Sequence, residues 1–352
     1  MKILIDINHP AHVHYFRNFI KMMEAKGHQF CVINRNSQMI NQLLDIYGIE
    51  HTIRNKRPEK KSTLVSLIYL MKMALWCFYK SLAFHPDMYM GFGSPACSIT
   101  SRIFGKPCVL LSDTEHNKMN QRIIVPTAST IITPFYFQKR LGPKQRYYNG
   151  YTEQLYLHSK YYQPDIGILD ELNVKPKEYV IVRYIAYDAH HDLTTRPLSE
   201  DYKKQIVTEL AKHYKVFISL EKSVTDSFYD EYVLRISPER IHDLEAYAKF
   251  MVTEGATMAS ESFILGVPYL YLNPLKCGNI DYQCKNYSNR AFQTTDGDKA
   301  LAIIKQFMTI ECDSATEKAI VETQTICPTE SLLGYIENYP TSKSESNLFY
   351  KQ

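Results

Sequence analysis

The chain has 352 residues, 45% hydrophobic and 22% charged, a globular composition that excludes a disordered chain and exceeds what one hydrophobic core usually serves. A net charge of +4 is too slight to argue for a nucleic-acid partner. The N-terminus, MKILIDINHP, lacks the basic stretch and apolar run of a signal peptide. The eight cysteines include no C-x-x-C pair, and several sit in apolar runs such as FCVI and PCVLL. Both features point to a reduced, cytoplasmic interior with thiols packed as small hydrophobes.

KILIDI (2–7) reads as a first strand, and His12 to Lys26 places Val13, Phe16, Ile20 and Met23 at helical spacing, with Gly27 as the stop. HQFCVI opens a second strand. A helix at 38–47, GIEHTI, a long helix near 62–84, DMYMGF, a helix near 95–104, PCVLL and STIITP follow. The rhythm restarts at EYVIVR (178–183) and runs through a helix near 199–213, KVFISL, a helix near 241–248 and KFMVTE. A helix at 258–265, PYLYLN and a helix near 298–308 complete it. Strand-helix-strand alternation of this kind builds a parallel sheet flanked by helices. The expectation is an α/β protein of two doubly wound Rossmann-type domains facing across a cleft. The N-terminal domain spans 1–155 and the C-terminal one 156–328, with a terminal helix and polar tail over 329–352, frayed after Pro340.

In open parallel sheets, ligands bind beyond the carboxyl ends of the strands, where helix N-termini point free N–H groups. EGATMASESFILGVP (254–268) is such a place. Gly255, Ala256 and Thr257 form a small-residue turn before a helix expected from Met258. The helix dipole and the Thr257 hydroxyl would favour a phosphate, and Glu261, one turn on, could accept from vicinal sugar hydroxyls. A plain glycine turn with a surface glutamate fits the stretch equally well.

Other strand ends carry further candidates. His9, His12 and His14 follow the first strand, and a neutral imidazole there could take a proton from an acceptor hydroxyl. Asp113, Glu115 and His116 follow PCVLL and could orient an acceptor or assist that base; helix capping by Asp113 or Thr114 is the competing reading. Gly91, Gly93 and Ser94 would shape the acceptor side. Arg183 ends EYVIV, where a guanidinium could pair with a diphosphate. Asp188, His190 and His191 in YDAHHD could reach the sugar or phosphates. Glu221 is a weaker candidate. YVLRISPERIHDLEAY is expected beside the base pocket, with its His242 in a structural role. LVSLIYLMKMALWCFY (64–79) is short for a transmembrane span, but with the basic run RNKRPEKK (54–61) it suits peripheral membrane contact through 54–79 as well as burial.

A strand, a small-residue turn, Glu261 four residues before Leu265-Gly266, and then Val267-Pro268 and another strand resemble the donor-site signature of GT-B glycosyltransferases. The best comparisons are the peptidoglycan N-acetylglucosaminyltransferase and the UDP-N-acetylglucosamine 2-epimerases. The resemblance implies that Gly255, Ala256 and Thr257 bind the UDP diphosphate and Glu261 the ribose. It also implies a base at His12, which stands fifteen residues before Gly27. The chain departs from the pattern in having Ala-Thr where two glycines are usual. Over nearly the whole length, DINHPAHVHYF, GFGSPA, LLSDTEHN, NGYTEQLYLH, RYIAYDAHHD and TMASE, in that order, resemble a family of uncharacterised GT-B-like proteins of bacteria and archaea.

The resulting expectation is a cytoplasmic, metal-independent GT-B-type glycosyltransferase. Its donor would be a nucleotide-diphosphate sugar, UDP-linked, with no other cofactor; its acceptor a glycan or polyprenyl-linked glycan; nucleic acid is not a partner. Two readings stay open beside it: a sugar-nucleotide 2-epimerase or hydrolase on the same scaffold, and a non-catalytic nucleotide-binding or scaffold protein.

Overall fold

The computed structural model describes residues 1–54, 62–115, 117–185, 198–220 and 226–339. It divides into two compact units, Met1–Tyr156 with Thr325–Gln352, and Leu157–Gln324.

The first unit alternates strands with helices as the hydrophobic periodicity requires. Strand β1 (Lys2–Ile7) leads to α1 (Pro10–Ala25), β2 (Gln29–Arg35) to α2 (Gln38–Ile46), and β3 (His51–Arg54) to α3 (Thr63–Phe84). Then come β4 (Met88–Phe92), α4 (Pro95–Ile103), β5 (Cys108–Leu111), α5 (Lys118–Thr127), β6 (Thr130–Pro134) and β7 (Gln145–Tyr148). All seven strands pair in parallel in the order β3-β2-β1-β4-β5-β6-β7. The chain winds outward in one direction from β1 and in the other from β4, so the switch point lies between those two strands. Central strands are buried along most of their length, as near-continuous apolar runs such as ILIDI demand in a sheet covered on both faces.

A short helix α6 (Gln154–Leu157) carries the chain into the second unit. There α7 (Gly167–Leu172), β8 (Tyr179–Tyr184), α8 (Glu200–Ala211), β9 (Lys215–Leu220), α9 (Ile241–Tyr247) and β10 (Met251–Thr253) follow in turn. The unit is completed by α10 (Ala256–Ile264), β11 (Tyr269–Tyr271), α11 (Gly278–Asn286), β12 (Ala291–Gln293), α12 (Gly297–Thr309) and α13 (Ser314–Gln324). Its five strands are parallel in the order β12-β11-β10-β8-β9, which puts the switch point between β8 and β10. A core of Val180, Val182, Ile206, Val252, Leu270 and Ile304 fills one face of this sheet.

The last helix, α14 (Pro328–Glu337), returns to the first unit rather than standing apart as a tail. Tyr335 OH lies 2.9 Å from Thr130 Oγ1, Thr329 Oγ1 donates to the Leu155 carbonyl at 2.7 Å, and Gln154 Nε2 donates to Thr325 Oγ1 at 2.7 Å. The polar tail beyond Pro340 lies outside the described residues.

All eight cysteines are free thiols. Burial pushes Cys97 and Cys108 well above the usual thiol range, so these two are inert packing groups.

Candidate functional site

Both switch points carry candidate residues. In the second unit, Arg183 on β8 is the register partner of Thr253 on β10, so the Gly255 turn leaves the sheet beside the end of β8. Helix α10 begins at Ala256, two residues earlier than the sequence predicts, and Gly255 is its N-cap. No side chain caps it. The Gly255 N–H is turned back to Thr253 Oγ1 at 2.9 Å, and no described residue accepts from the N–H groups of Ala256, Thr257 and Met258. Residues 255–258 are half-exposed. An uncapped helix start with its amides open is what an anion requires.

Glycine at 255 is not demanded by backbone strain. Its φ is −98°, and an added Cβ would meet Ile185 Cγ2 and Thr253 Oγ1 at an ordinary 3.6 Å. What glycine does there is leave the amides without a competing side-chain oxygen. Gly266, in the Leu-Gly-Val-Pro part of the signature, is different. Its φ is +78°, and a Cβ would collide with the Ser314 carbonyl at 2.0 Å. That half of the motif is architecture. At the same end of α10, the buried Arg290 donates to the Phe263 carbonyl at 2.9 Å, so a cation meets the negative pole of the helix while the positive pole stays open.

Glu261 lies deeper than the open amides, only 4% exposed. Its Oε1 is 2.9 Å from Nε2 of the equally buried His242. The sequence reading put this carboxylate where sugar hydroxyls meet it; the fold puts it in the floor beneath the amides, already engaged by a histidine. Glu245, fully buried on α9, adds a second carboxyl that faces the Glu261 charge and Arg183. Neither Glu245 oxygen has a hydrogen-bond partner. Burial, reinforced by the Glu261 charge, pushes the Glu245 carboxyl well above the usual range, and Arg183 pulls it back only in part. The site therefore favours the protonated form of this carboxyl. Arg183 itself donates to Ser219 Oγ at 2.8 Å.

Close by, Glu254 bridges elements: it accepts from the Ile185 N–H at 3.0 Å and pairs with the buried Lys203 at 2.9 Å. Sequence reading missed Glu245, Glu254 and Lys203, since nothing in a one-dimensional pattern pairs α8 and α9 with the end of β10.

A buried acid without hydrogen-bond partners is a stability cost, and the sign of its pH dependence follows from linkage. The folded state holds the Glu245 proton more tightly than the unfolded chain does, so stability is fully present below the ordinary glutamate pKa of about 4.3 and is lost as pH rises toward the raised folded value. Glu245→Met keeps the volume and removes the polar burial. It is expected to stabilise the protein by about 1–3 kcal/mol at pH 7 to 8. The gain over the parent, read from thermal melts between pH 4.5 and 8, should widen as pH rises; a gain independent of pH would show that Glu245 does not titrate in this way.

At the first unit's switch point, Asp6 of β1 and Gly91 of β4 are register partners. Asp6 is buried and accepts from Arg54 Nε at 3.2 Å and Nη2 at 3.0 Å, from Asn8 Nδ2 at 2.7 Å and from Ser94 Oγ. Gly91 is tightly packed, since a Cβ would stand 3.0 Å from Ser94 Cβ and 3.3 Å from the Asp6 carbonyl oxygen, and Gly93 takes a left-handed turn at φ +52°. Ser94 also caps α4. Arg54, counted in the basic run by sequence, is thus withdrawn into the interior; residues 55–61 of that run lie outside the described residues.

The three histidines separate. His9 is the N-cap of α1, its Nδ1 accepting from Ala11 N–H at 3.2 Å. His14 is turned into the core, 5.3 Å from the Tyr156 ring and 3.2 Å from Tyr47 OH. That placement corrects the catalytic reading of His14, which is a packing residue. His12 is half-buried against Phe92 and Tyr15, with ring centroids 4.9 and 5.9 Å away. Burial drives its pKa well below 6.5, and His9 and Arg35 add to that. Its Nδ1 accepts the Asn8 N–H at 3.3 Å, so the neutral ring carries its proton on Nε2. The sequence reading expected a base; the geometry presents a neutral donor.

Asp113 is hydrogen-bonded by the Thr114 and Thr152 hydroxyls. Burial raises its pKa, and the Glu115 charge adds to the shift. Thr152 Oγ1 is 3.2 Å from both Tyr136 OH and Tyr148 OH, and Glu153 is buried beside them. Burial raises both phenols, and the Glu153 and Asp113 charges raise them further. Tyr136, Tyr148, Thr152 and Glu153 are candidates that sequence reading did not single out, although the last two lie in its NGYTEQLYLH segment. Glu115 accepts from the Gln138 N–H at 2.7 Å and so ties a loop. The N-cap of α5 is Asn117, not Asp113 or Thr114. His116, Asp188, His190, His191 and Glu221 lie outside the described residues. Among the described residues, no group of three His, Cys, Asp or Glu side chains is placed to hold a metal ion.

The family described as protein of unknown function DUF354 matches residues 1–327. The chain belongs to that family. An uncharacterised protein of Methanocaldococcus jannaschii is 24% identical to this DUF354 chain over 307 residues, covering 80% of this chain and 84% of the relative. Among solved structures, the UDP-GlcNAc 2-epimerase of Neisseria meningitidis bound to UDP-GlcNAc superposes with a TM-score of 0.66 at 11% identity, covering 96% of this chain and all of the other. The glycotransferase of kitacinnamycin gives a TM-score of 0.61 at 12% identity, with 96% and 98% covered. Similarity at this level of identity establishes the GT-B-like α/β fold of this DUF354 chain, built from two parallel sheets.

Proposed function

We propose that the protein binds a nucleotide-diphosphate sugar, UDP-linked, at the N-terminus of α10 and transfers the sugar to a glycan or polyprenyl-linked acceptor. The observation that carries this reading is the uncapped, half-exposed start of α10 at a switch point, with Arg183 at the adjacent strand end. The amides of Ala256, Thr257 and Met258 bind the diphosphate, and Arg183 stabilises the charge that grows on it as the sugar leaves. Glu261, held by His242 in the floor of the site, is assigned to the ribose. Asp188 and His190 follow Arg183 in the chain and are assigned to the sugar. The first unit handles the acceptor. His12 donates from Nε2 to an acceptor oxygen and orients it, while Asp113, raised by burial, takes the acceptor proton with Glu115 and His116 nearby in sequence. The solved epimerase bound to UDP-GlcNAc and the glycotransferase share this fold and support a nucleotide-sugar substrate. No bound metal or further cofactor is required by the scheme.

The second reading is a 2-epimerase or hydrolase. The cluster around Asp113 favours it, because a carboxyl whose pKa is raised by burial, held among the Thr152, Tyr136 and Tyr148 hydroxyls, is suited to moving a proton at a sugar carbon. Incubating the protein with UDP-GlcNAc alone separates the two. Glycosyl transfer predicts no turnover until an acceptor is added; turnover of the donor by itself shifts the assignment to the second reading. For glycosyl transfer, His12→Ala is expected to lower kcat at least 100-fold while leaving UDP affinity within about threefold, measured by steady-state kinetics and titration calorimetry.

A further inference from the structure

Helix α3 carries a surface that the proposed reaction does not use. Leu64, Leu67, Met71, Leu75, Tyr79 and Leu82 are all exposed, Leu64 by 67%, Met71 by 58% and Leu75 by 51%. At about 100° per residue they fall within roughly 120° of arc, one unbroken stripe along the helix. Isolated exposed leucines are ordinary; a row of them some 20 residues long is not.

The opposite face of α3 is locked to the domain. Met73, Cys77 and Ser81 are buried, Ser81 Oγ receives the Tyr89 hydroxyl at 2.8 Å, and Thr100 Oγ1 of α4 donates to the Ala74 carbonyl at 3.3 Å. Phe78 packs on Phe104 with centroids 5.3 Å apart. The segment Leu64–Phe84 is long and apolar enough to cross a bilayer. A helix packed along one side against its own domain cannot do so without tearing those contacts, so its geometry suits lying in the plane of a surface.

Charge says which surface. From Lys60 to Pro86 the sequence contains no Asp or Glu, yet it contains Lys60, Lys61, Lys72 and Lys80. Lys72 is exposed beside the stripe, and Lys80 lies 5.5 Å from the ring of Trp76. Two copies meeting face to face across a two-fold axis would set these like charges against one another. An anionic interface meets them with opposite charge, accepts the apolar side chains beneath its headgroups, and suits tryptophan and tyrosine at that depth.

We propose that the exposed face of α3 docks the first unit on an anionic lipid bilayer, with the helix axis parallel to the membrane. This surface is independent of the nucleotide site, so it stands whether or not the reaction proposed above is correct.

The test is cosedimentation of the full chain with vesicles of phosphatidylcholine alone and of phosphatidylcholine with 30% phosphatidylglycerol. The expected result is capture by the anionic vesicles only, weakened at least tenfold by the double change Met71→Ser/Leu75→Ser and severalfold by Lys72→Glu. Both changes alter exposed side chains, and an unchanged thermal melt shows that the fold is intact. Equal capture of the parent and the double variant overturns the proposal, as does no capture by either vesicle. A concentration-dependent dimer that Leu75→Ser dissolves, with no vesicle binding, also overturns it and assigns the face to a second copy of the chain.

Discussion

Gly255→Asp is expected to remove nucleotide-diphosphate binding while leaving thermal stability unchanged or slightly raised. Aspartate is among the preferred helix N-caps, and its carboxylate would bond the amides of α10 that no side chain now occupies. Against glycine, that capping is worth a few tenths of a kcal/mol to the helix. The same carboxylate displaces the ligand from those amides and sets a negative charge against a diphosphate. Lost charge-assisted hydrogen bonds and repulsion at about 4 Å together cost roughly 3–5 kcal/mol, a loss of at least about 100-fold in affinity. The control is Gly255→Ala. Its methyl group finds only ordinary contacts at 3.6 Å, so affinity should stay within about threefold, allowing for small shifts of a few tenths of a kcal/mol. Calorimetric titration with UDP beside thermal melts reads both. Full affinity in a well-folded Gly255→Asp variant would mean that this helix end is not where the phosphates go.

Asp6→Ala is expected to have the largest effect on stability, about 3–5 kcal/mol, because it strands the Arg54 guanidinium, which is almost wholly inside the protein. It also releases Asn8 and Ser94, whose side chains both bond to Asp6. Arg54→Leu should be comparably damaging, since it leaves the carboxylate alone. The double variant Asp6→Ala/Arg54→Leu should recover part of the sum, as expected for a coupled pair. Urea unfolding of the parent, both singles and the double gives the coupling directly. A cost below about 1 kcal/mol for Asp6→Ala would show that the network is not the clamp of this switch point.

How much of this was legible in the sequence depended on the range of the interactions. Strands such as KILIDI and EYVIVR are buried on both faces, so each is an apolar run in its own right and needs no partner to be recognised. The two short strands that escaped notice, Gln145–Tyr148 and Ala291–Gln293, are sheet-edge strands of three or four residues without such a run. The site was legible where the chemistry is local: the start of α10 and the end of β8 both follow from strand-turn-helix grammar. It was illegible where chemistry spans elements. Asp6 is paired with Arg54 across 48 positions, and Glu261 with His242 across 19, and neither pairing has a one-dimensional signal. His14 misled for a related reason. A histidine two residues from His12 looks equivalent in a list, but on a helix it points about 200° away, which here means into the core.

The return of α14 to the first unit fixes an order of events during synthesis. Residues 157–324 must all be translated before the helix that completes the N-terminal sheet's cover emerges. At typical rates of about 5–20 residues per second, that interval is on the order of 10–30 s. Throughout it, the places later filled by Leu332, Leu333, Tyr335 and Ile336 are open to water while the nascent chain beyond them folds as a separate body. The N-terminal portion is thus the last to be sealed although it is the first to be made, and during that wait it is a natural client for chaperones that hold exposed apolar surface.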